Sequence, residues 1–116
     1  MSRTLPADYN ITIMQRASFV IPLKLYASGQ PVNLTGCTIK AQIWKDQLRR
    51  EKITDLYVIN TNLALGSFSL TLPRSITRTI SSHGFWDCLI VYPDGEADYW
   101  LRGLAILCLG LADDVA

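Results

Sequence analysis

The chain holds one histidine, His83, in the run Ser81-Ser82-His83-Gly84. A nucleophilic triad or a multi-histidine metal site would have to be built on that single residue, so neither is expected. Asp94-Gly95-Glu96-Ala97-Asp98 spaces oxygen-bearing side chains as a calcium loop does. It lacks the length and the closing glutamate of an EF-hand, and a hairpin turn accounts for it. Cys37, Cys88 and Cys108 are odd in number and have no CxxC spacing, which argues against both a disulfide framework and a zinc site. Each falls in a strand pattern, where a free thiol packs as a small hydrophobe. GxxxxGK[ST], GxGxxG, GxSxG and HExxH are absent, and with them the usual phosphate, nucleotide, acyl-transfer and zinc-hydrolase chemistries. The expectation is a protein that is not an enzyme and uses no metal or cofactor.

Aromatic side chains are the remaining candidates. Trp44 shares the outward parity of Thr38, Lys40 and Gln42, and Trp100 that of Asp98 and Arg102. Exposed indoles on a β-sandwich can stack on sugar rings, but large rigid aromatics are also enriched at protein interfaces. Subunit contact is the preferred reading of both.

The elements that must position these residues are strands. Phe19, Ile21, Leu23 and Leu25 alternate with Val20, Pro22, Lys24 and Tyr26, the two-residue period of a strand that buries one face. Cys37, Ile39, Ala41 and Ile43 repeat the pattern, as do Phe68, Leu70 and Leu72. An earlier strand near Tyr9 to Met14 turns Ile11 and Ile13 inward. Pro22 lacks an N–H, which makes the strand near Ser18 to Tyr26 an edge or a bulged strand. In Asn33-Leu34-Thr35-Gly36, Leu34 plugs the core and Gly36 permits a backbone geometry that a side chain would hinder.

Lys45 to Lys52 is a charged loop or one helical turn before a strand from Ile53 to Ile59. Asn60 to Gly66 is a polar connection. Pro73 opens a short helix with Ile76 and Ile80 on one side, which caps the sandwich. Strands from Phe85 to Tyr92 and from Glu96 to Leu109 form a hairpin about Pro93-Asp94-Gly95. The fold expected from these patterns is all-β, a single immunoglobulin-like sandwich of about seven or eight antiparallel strands with one short helix. Residues 1–8 form an N-terminal arm and residues 9–116 the sandwich.

The last strand is unusual because both of its faces are apolar. Leu104, Ile106 and Cys108 lie opposite Ala105, Leu107 and Leu109, and one core can take only one of these sets. A partner is expected to cover the other. Across 116 residues, 49% are hydrophobic and 18% charged, a balance that suits a surface covered by neighbours. The net charge of +1 with scattered Lys and Arg provides no field for a phosphate backbone, so no nucleic acid is expected. Met1-Ser2-Arg3-Thr4-Leu5-Pro6 has no signal-peptide core, and the run Leu104 to Ala112 is too short to cross a bilayer. A soluble cytosolic product without a membrane partner is the expectation.

Tyr9-Asn10-Ile11-Thr12-Ile13-x-Gln15, then Phe19, Gly29-x-Pro31-Val32-Asn33-Leu34-Thr35-Gly36 and Ala41-x-Ile43 resemble the small β-sandwich domain of tail-fibre connector, or collar, proteins of tailed bacteriophages. The resemblance extends over nearly the whole chain. Gly84-Phe85-Trp86-Asp87-Cys88 and Asp94-Gly95 to Arg102-Gly103 stand where that family has an aromatic-Asp strand, a DG hairpin and a final strand. Arg16 departs from the family's Gly after the Gln, and Cys37 from its Tyr after Leu-Thr-Gly. The resemblance implies a virion structural protein, a tail-associated connector, collar or fibre-attachment subunit assembled in the host cytoplasm. Its partners would be other virion proteins and copies of itself, as a homo-oligomer within the particle. A capsid decoration (cement) protein is the alternative in the same class. A carbohydrate-binding module for host adsorption, with Trp44 and Trp100 as platforms, is the alternative from another. The interface expected is Trp100, Leu104, Ile106 and Cys108 with Trp44, joined by the arm from Met1 to Asp8.

Overall fold

Ser67-Phe68-Ser69-Leu70-Thr71-Leu72 alternates small polar with large apolar residues, and each of Phe68, Leu70 and Leu72 is buried at the centre of the core. The other strands assemble around it. In the computed structural model the described residues are 6–110. They form β1 (Ala7–Asp8), β2 (Ile11–Met14), β3 (Phe19–Lys24), β4 (Tyr26–Ala27), β5 (Gln30–Pro31), β6 (Thr38–Trp44), β7 (Lys52–Asn62), β8 (Ser67–Leu72), α1 (Arg74–Thr77), β9 (Gly84–Val91) and β10 (Ala97–Cys108). Residues 1–5, most of the expected arm, and residues 111–116, the end of the expected sandwich, lie outside the described residues.

The strand order is β1-β10-β9-β6-β7-β8-β3, with β2 also on β10 and a small separate β4–β5 hairpin. Strand β7 belongs to both layers. Its first half pairs with β6, Leu56 opposite Ala41, and its second half with β8, Tyr57 opposite Thr71. The sheet therefore folds over along β7 into a front layer (β1/β2, β10, β9, β6) and a back layer (β8, β3). Side chains from both inner faces fill the space between them: Ile11, Ile13, Ile43, Phe68, Leu70, Trp86, Cys88 and Ile90 are all buried. The protein is an all-β, immunoglobulin-like sandwich.

Several expectations are met at particular residues. Strand β3 pairs only with β8, Pro22 opposite Ser69, so the proline does occupy an edge. Leu34 is fully buried and Gly36 takes φ 80°. Ile21, Leu23 and Ile39 are half-buried and pack against the core from its margin. Residues 45–51 form a loop closed by the Lys45 N–H donating to the Glu51 carbonyl.

Three features differ from expectation. The first two strands run parallel to β10, with Ala7 opposite Leu101 and Ile11 opposite Ala105, where antiparallel pairing was expected. Nearly the whole chain separates these strands, so no tight turn imposes the antiparallel direction. Two residues of the arm, Ala7 and Asp8, are thereby part of the sheet. The helix is only four residues long, and Ile80 is buried beyond its end. Its anchor is Thr77, fully buried, whose hydroxyl donates to the Ala17 carbonyl at 2.8 Å.

Phe68→Ala should cost about 3–5 kcal/mol through lost transfer energy and the cavity left behind. Leu23→Ala, at the half-buried margin, should cost less, and urea denaturation reads the order. Gly36→Val places a branched residue in the left-handed region with its Cβ 3.1 Å from Pro93 Cγ. It should lose about 1–2 kcal/mol or more. Thr35→Val, exposed next to it, should change stability by under about 0.5 kcal/mol. Equal midpoints for these two variants would contradict the assigned turn.

Candidate functional site

Strand register decides which side chains share the outer face of the front layer. Trp44, Phe85 and Leu104 lie in one row, Gln42, Asp87 and Arg102 in the next, and Lys40, Leu89 and Tyr99 in a third. The rows keep step only because β10 carries one extra residue. Tyr99 pairs with Leu89 and Leu101 with Cys88, which leaves Trp100 as a bulge. Before the bulge the even-numbered residues of β10 point inward, and after it the odd-numbered ones do. Trp100 and Leu101 are consequently both inside.

Trp100 corrects the sequence reading. Placed on the outward face by its parity with Arg102, it is 2% exposed, because the bulge separates the two residues by one change of phase. Its indole N–H donates to the Tyr92 hydroxyl at 2.8 Å, and that hydroxyl donates to Asp98 Oδ2 at 3.1 Å. Burial pushes the Tyr92 phenol above its ordinary pKa, with Asp98 acting in the same direction and the Trp100 bond against it. Trp100 is a core residue with a satisfied polar handle.

Leu104, Ile106 and Trp44 do come together. Leu104 is 45% exposed and Ile106 is half-buried, while Ala105 and Leu107 turn into the core. Cys108 continues the outer row, half-buried. An apolar groove of about 360 Å³ opens between His83, Gly84, Phe85, Leu104 and Ile106. His83 frames it by accepting the Leu107 N–H at Nδ1, 2.9 Å away. The Trp44 ring is half-buried at the next position, its N–H donated to Gln42 Oε1 at 3.1 Å and the Lys52 ammonium 6.0 Å from its centroid.

Beyond Leu104 lies a cavity of about 670 Å³ that mixes charged side chains with Trp44, Phe85 and Trp86. Arg49, in the left-handed region at φ 56°, reaches over the sheet from the β6–β7 loop. Its guanidinium donates to Asp87 Oδ2 at 2.6 Å and the Tyr99 hydroxyl at 2.8 Å, and lies 5.3 Å from the Tyr99 ring centroid. The Tyr99 bond, then Asp87, raises its pKa against a lowering by burial. Arg102 pairs with Asp8 at 3.3 Å. The N-terminal segment makes the floor: Asn10 Oδ1 accepts the Leu104 N–H, and the Trp86 indole donates to the Tyr9 carbonyl at 2.7 Å. A side chain at Gly103 would collide with that same carbonyl, so glycine is required where the segment crosses β10.

The cavity's arginines and carboxylates answer one another within the chain, so it presents no concentrated field. Among the described residues the one histidine, His83, has its Nδ1 taken by the Leu107 N–H. Cys88 is buried, which pushes its thiol up to about 12, and burial also raises Cys37. Neither is a thiolate at neutral pH. Among the described residues no cluster of three or more His, Cys, Asp or Glu is placed to hold a metal ion, and no helix is long and apolar enough to cross a membrane.

Phe85 and Arg49 belong to the site without having been picked out from sequence, and His83, weighed there only for catalysis or metal binding, joins them at the rim of the groove. Asp87, the one charged residue of β9, carries the signal for Phe85, because it marks the outward parity of that strand. Nothing local announces Arg49, whose reach depends on the path of a seven-residue loop.

No protein family matches the sequence, and no curated protein is similar to it. Among solved structures, the chain is similar to the extracellular domain of the voltage-gated sodium channel beta4 subunit, a parallel homodimer with a role in cell–cell adhesion. The match has a TM-score of 0.47 at 11% identity and covers 94% of this chain and 98% of the other.

Tyr92→Phe removes the acceptor that the buried Trp100 indole uses, and should cost about 1–2 kcal/mol. Tyr57→Phe, on an exposed position, should stay within about 0.5 kcal/mol. A tryptophan emission spectrum unchanged by Tyr92→Phe, together with an unchanged unfolding midpoint, would contradict this role for Trp100.

Proposed function

We propose that the chain is a structural protein of a bacteriophage virion, a tail-associated connector, collar or fibre-attachment subunit that acts through protein–protein contacts and not by catalysis. The observation that carries the contact reading is the outer row of β10. Leu104 and Ile106 border an apolar groove at the surface while the charges around it are paired within the chain. Water gains nothing at the apolar end, and a partner does: covering what remains exposed of Leu104 and Ile106 contributes about 2–3 kcal/mol together. Repeated around a particle, contacts of that size accumulate.

The phage assignment is supported by the resemblance of Tyr9 to Gln15 and Gly29 to Gly36 to the connector sandwich. A capsid decoration protein would use the same face in the same way. The sugar-binding alternative loses one of its two platforms, since Trp100 is buried, and retains only Trp44 with Lys52 above its ring.

Ile106→Lys puts a charge into the groove at a half-buried position. The variant should keep its circular-dichroism spectrum and fail to enter particles in a complementation assay. Normal incorporation would count against the proposal, and so would unfolding of the isolated domain, because Ile106 would then be a core residue.

A further inference from the structure

The segment from Ala7 to Met14 is held by the sandwich much as a bound peptide would be. It lies at the outer edge of the front layer, where β1 and β2 pair with β10 alone. Ile11 and Ile13 are buried, so the slot it fills is part of the core. Its register is fixed by the Trp86 indole donating to the Tyr9 carbonyl, the Leu104 N–H to Asn10 Oδ1 and the Gln15 N–H to the Cys108 carbonyl. From there the chain crosses to β3 in the back layer through Gln15, Arg16, Ala17 and Ser18. That crossing is a turn in which the Ala17 N–H donates to the Met14 carbonyl at 3.2 Å and Arg16 sits in the left-handed region at φ 71°. Any side chain is strained there. The far end of the turn is pinned, because the buried Thr77 hydroxyl holds the Ala17 carbonyl, so the strain falls on the hinge itself.

We infer that the Ala7–Met14 segment exchanges between copies of the chain, the segment of each copy filling the β10 slot of the other. The fit of occupant to site is already on display, since the slot holds the same residues from its own chain and every contact listed above is reproduced from a second one. Only the hinge differs between the two forms. Opened, it frees Arg16 from the left-handed region, and short hinges under strain favour exchange. The closed form keeps a compensation, the Arg16 guanidinium donating to the Gly110 carbonyl at 2.5 Å, and it avoids the entropy cost of joining two chains. Exchange therefore grows with protein concentration by mass action. Reciprocal exchange is closed about a two-fold axis, so a dimer is expected and nothing larger. The link is independent of the Leu104–Ile106 groove.

Met14 lies opposite Cys108 in the parallel ladder, which puts a cysteine at position 14 one strand spacing from a native thiol. The full-length Met14→Cys chain, half of it isotope-labelled, is unfolded, refolded at low and high protein concentration and treated with a short thiol-reactive cross-linker. At high concentration the peptide joining positions 14 and 108 should contain one labelled and one unlabelled half. At low concentration both halves should come from one copy. Sedimentation of the chain without the added cysteine should show a dimer that rises with refolding concentration. Arg16→Gly, which relaxes the closed turn, should lower the dimer fraction several-fold, and Arg16→Pro, which cannot adopt a positive φ, should raise it several-fold. If Arg16→Pro fails to fold, Arg16→Gly against the wild type carries the comparison. A 14–108 peptide that never mixes labels overturns the inference, even where a dimer forms by another face. A chain that stays monomeric after refolding at high concentration, or a dimer fraction unchanged by Arg16→Gly, overturns it as well.

Discussion

Trp100 is inside the sandwich because β10 has one residue more than the strand it pairs with, and the outer face of the molecule depends on that insertion. Without it, the alternation that puts Asp98 beside Tyr92 would carry Leu104 and Ile106 into the core and turn Ala105 outward. The bulge reverses the phase once, between Tyr99 and Leu101, and both halves of the strand then agree with the layer beneath them. Two consecutive large side chains become buried where a regular strand can bury only one. The Tyr92 hydroxyl makes this tolerable by accepting the indole N–H, so that the polar end of the ring enters the interior hydrogen-bonded.

The same face illustrates how local pairing leaves a surface to be governed by its apolar part. Arg49 is drawn onto Asp87 and Tyr99, Arg102 onto Asp8, and Lys52 onto Asp55. Each is a solvent-accessible pair with a small effect on stability. Their collective effect is to pair the charges that lie beside the row running from Trp44 through Phe85 to Leu104, and under the contact reading recognition would fall to that row. Specificity for a partner there would come from shape more than from charge.

Much of this fold was legible because alternation is a direct record of burial. Phe68, Leu70 and Leu72, Ile11 and Ile13, the edge position of Pro22 and the turn at Gly36 could all be read residue by residue. The double apolar character of the last strand required one of its two sets to face outward, and Leu104 and Ile106, expected there, belong to that set. Trp100 could not be read, because Asp98-Tyr99-Trp100-Leu101-Arg102 continues the same alternation on paper that the bulge interrupts in space. The parallel course of β1 and β2 was hidden for a different reason: side-chain period reports which face is buried, not which way a neighbouring strand runs. Arg49 depended on a loop path that no periodic signal describes.

The parallel ladder has a mechanical meaning. The offset between partners is constant from Ala7 opposite Leu101 to Met14 opposite Cys108, so the first and last strands lie side by side with their directions aligned. Tension applied to the chain before β1 and after β10 pulls these neighbours along their common axis in opposite senses. The backbone bonds between them are then loaded in shear and share the force, instead of being opened one after another as in a peeled hairpin. Resistance to being drawn out is set by the rate of crossing that collective barrier, not by equilibrium stability alone. A chain tethered at both ends would hold its shape through the same strand that carries the Leu104–Ile106 row.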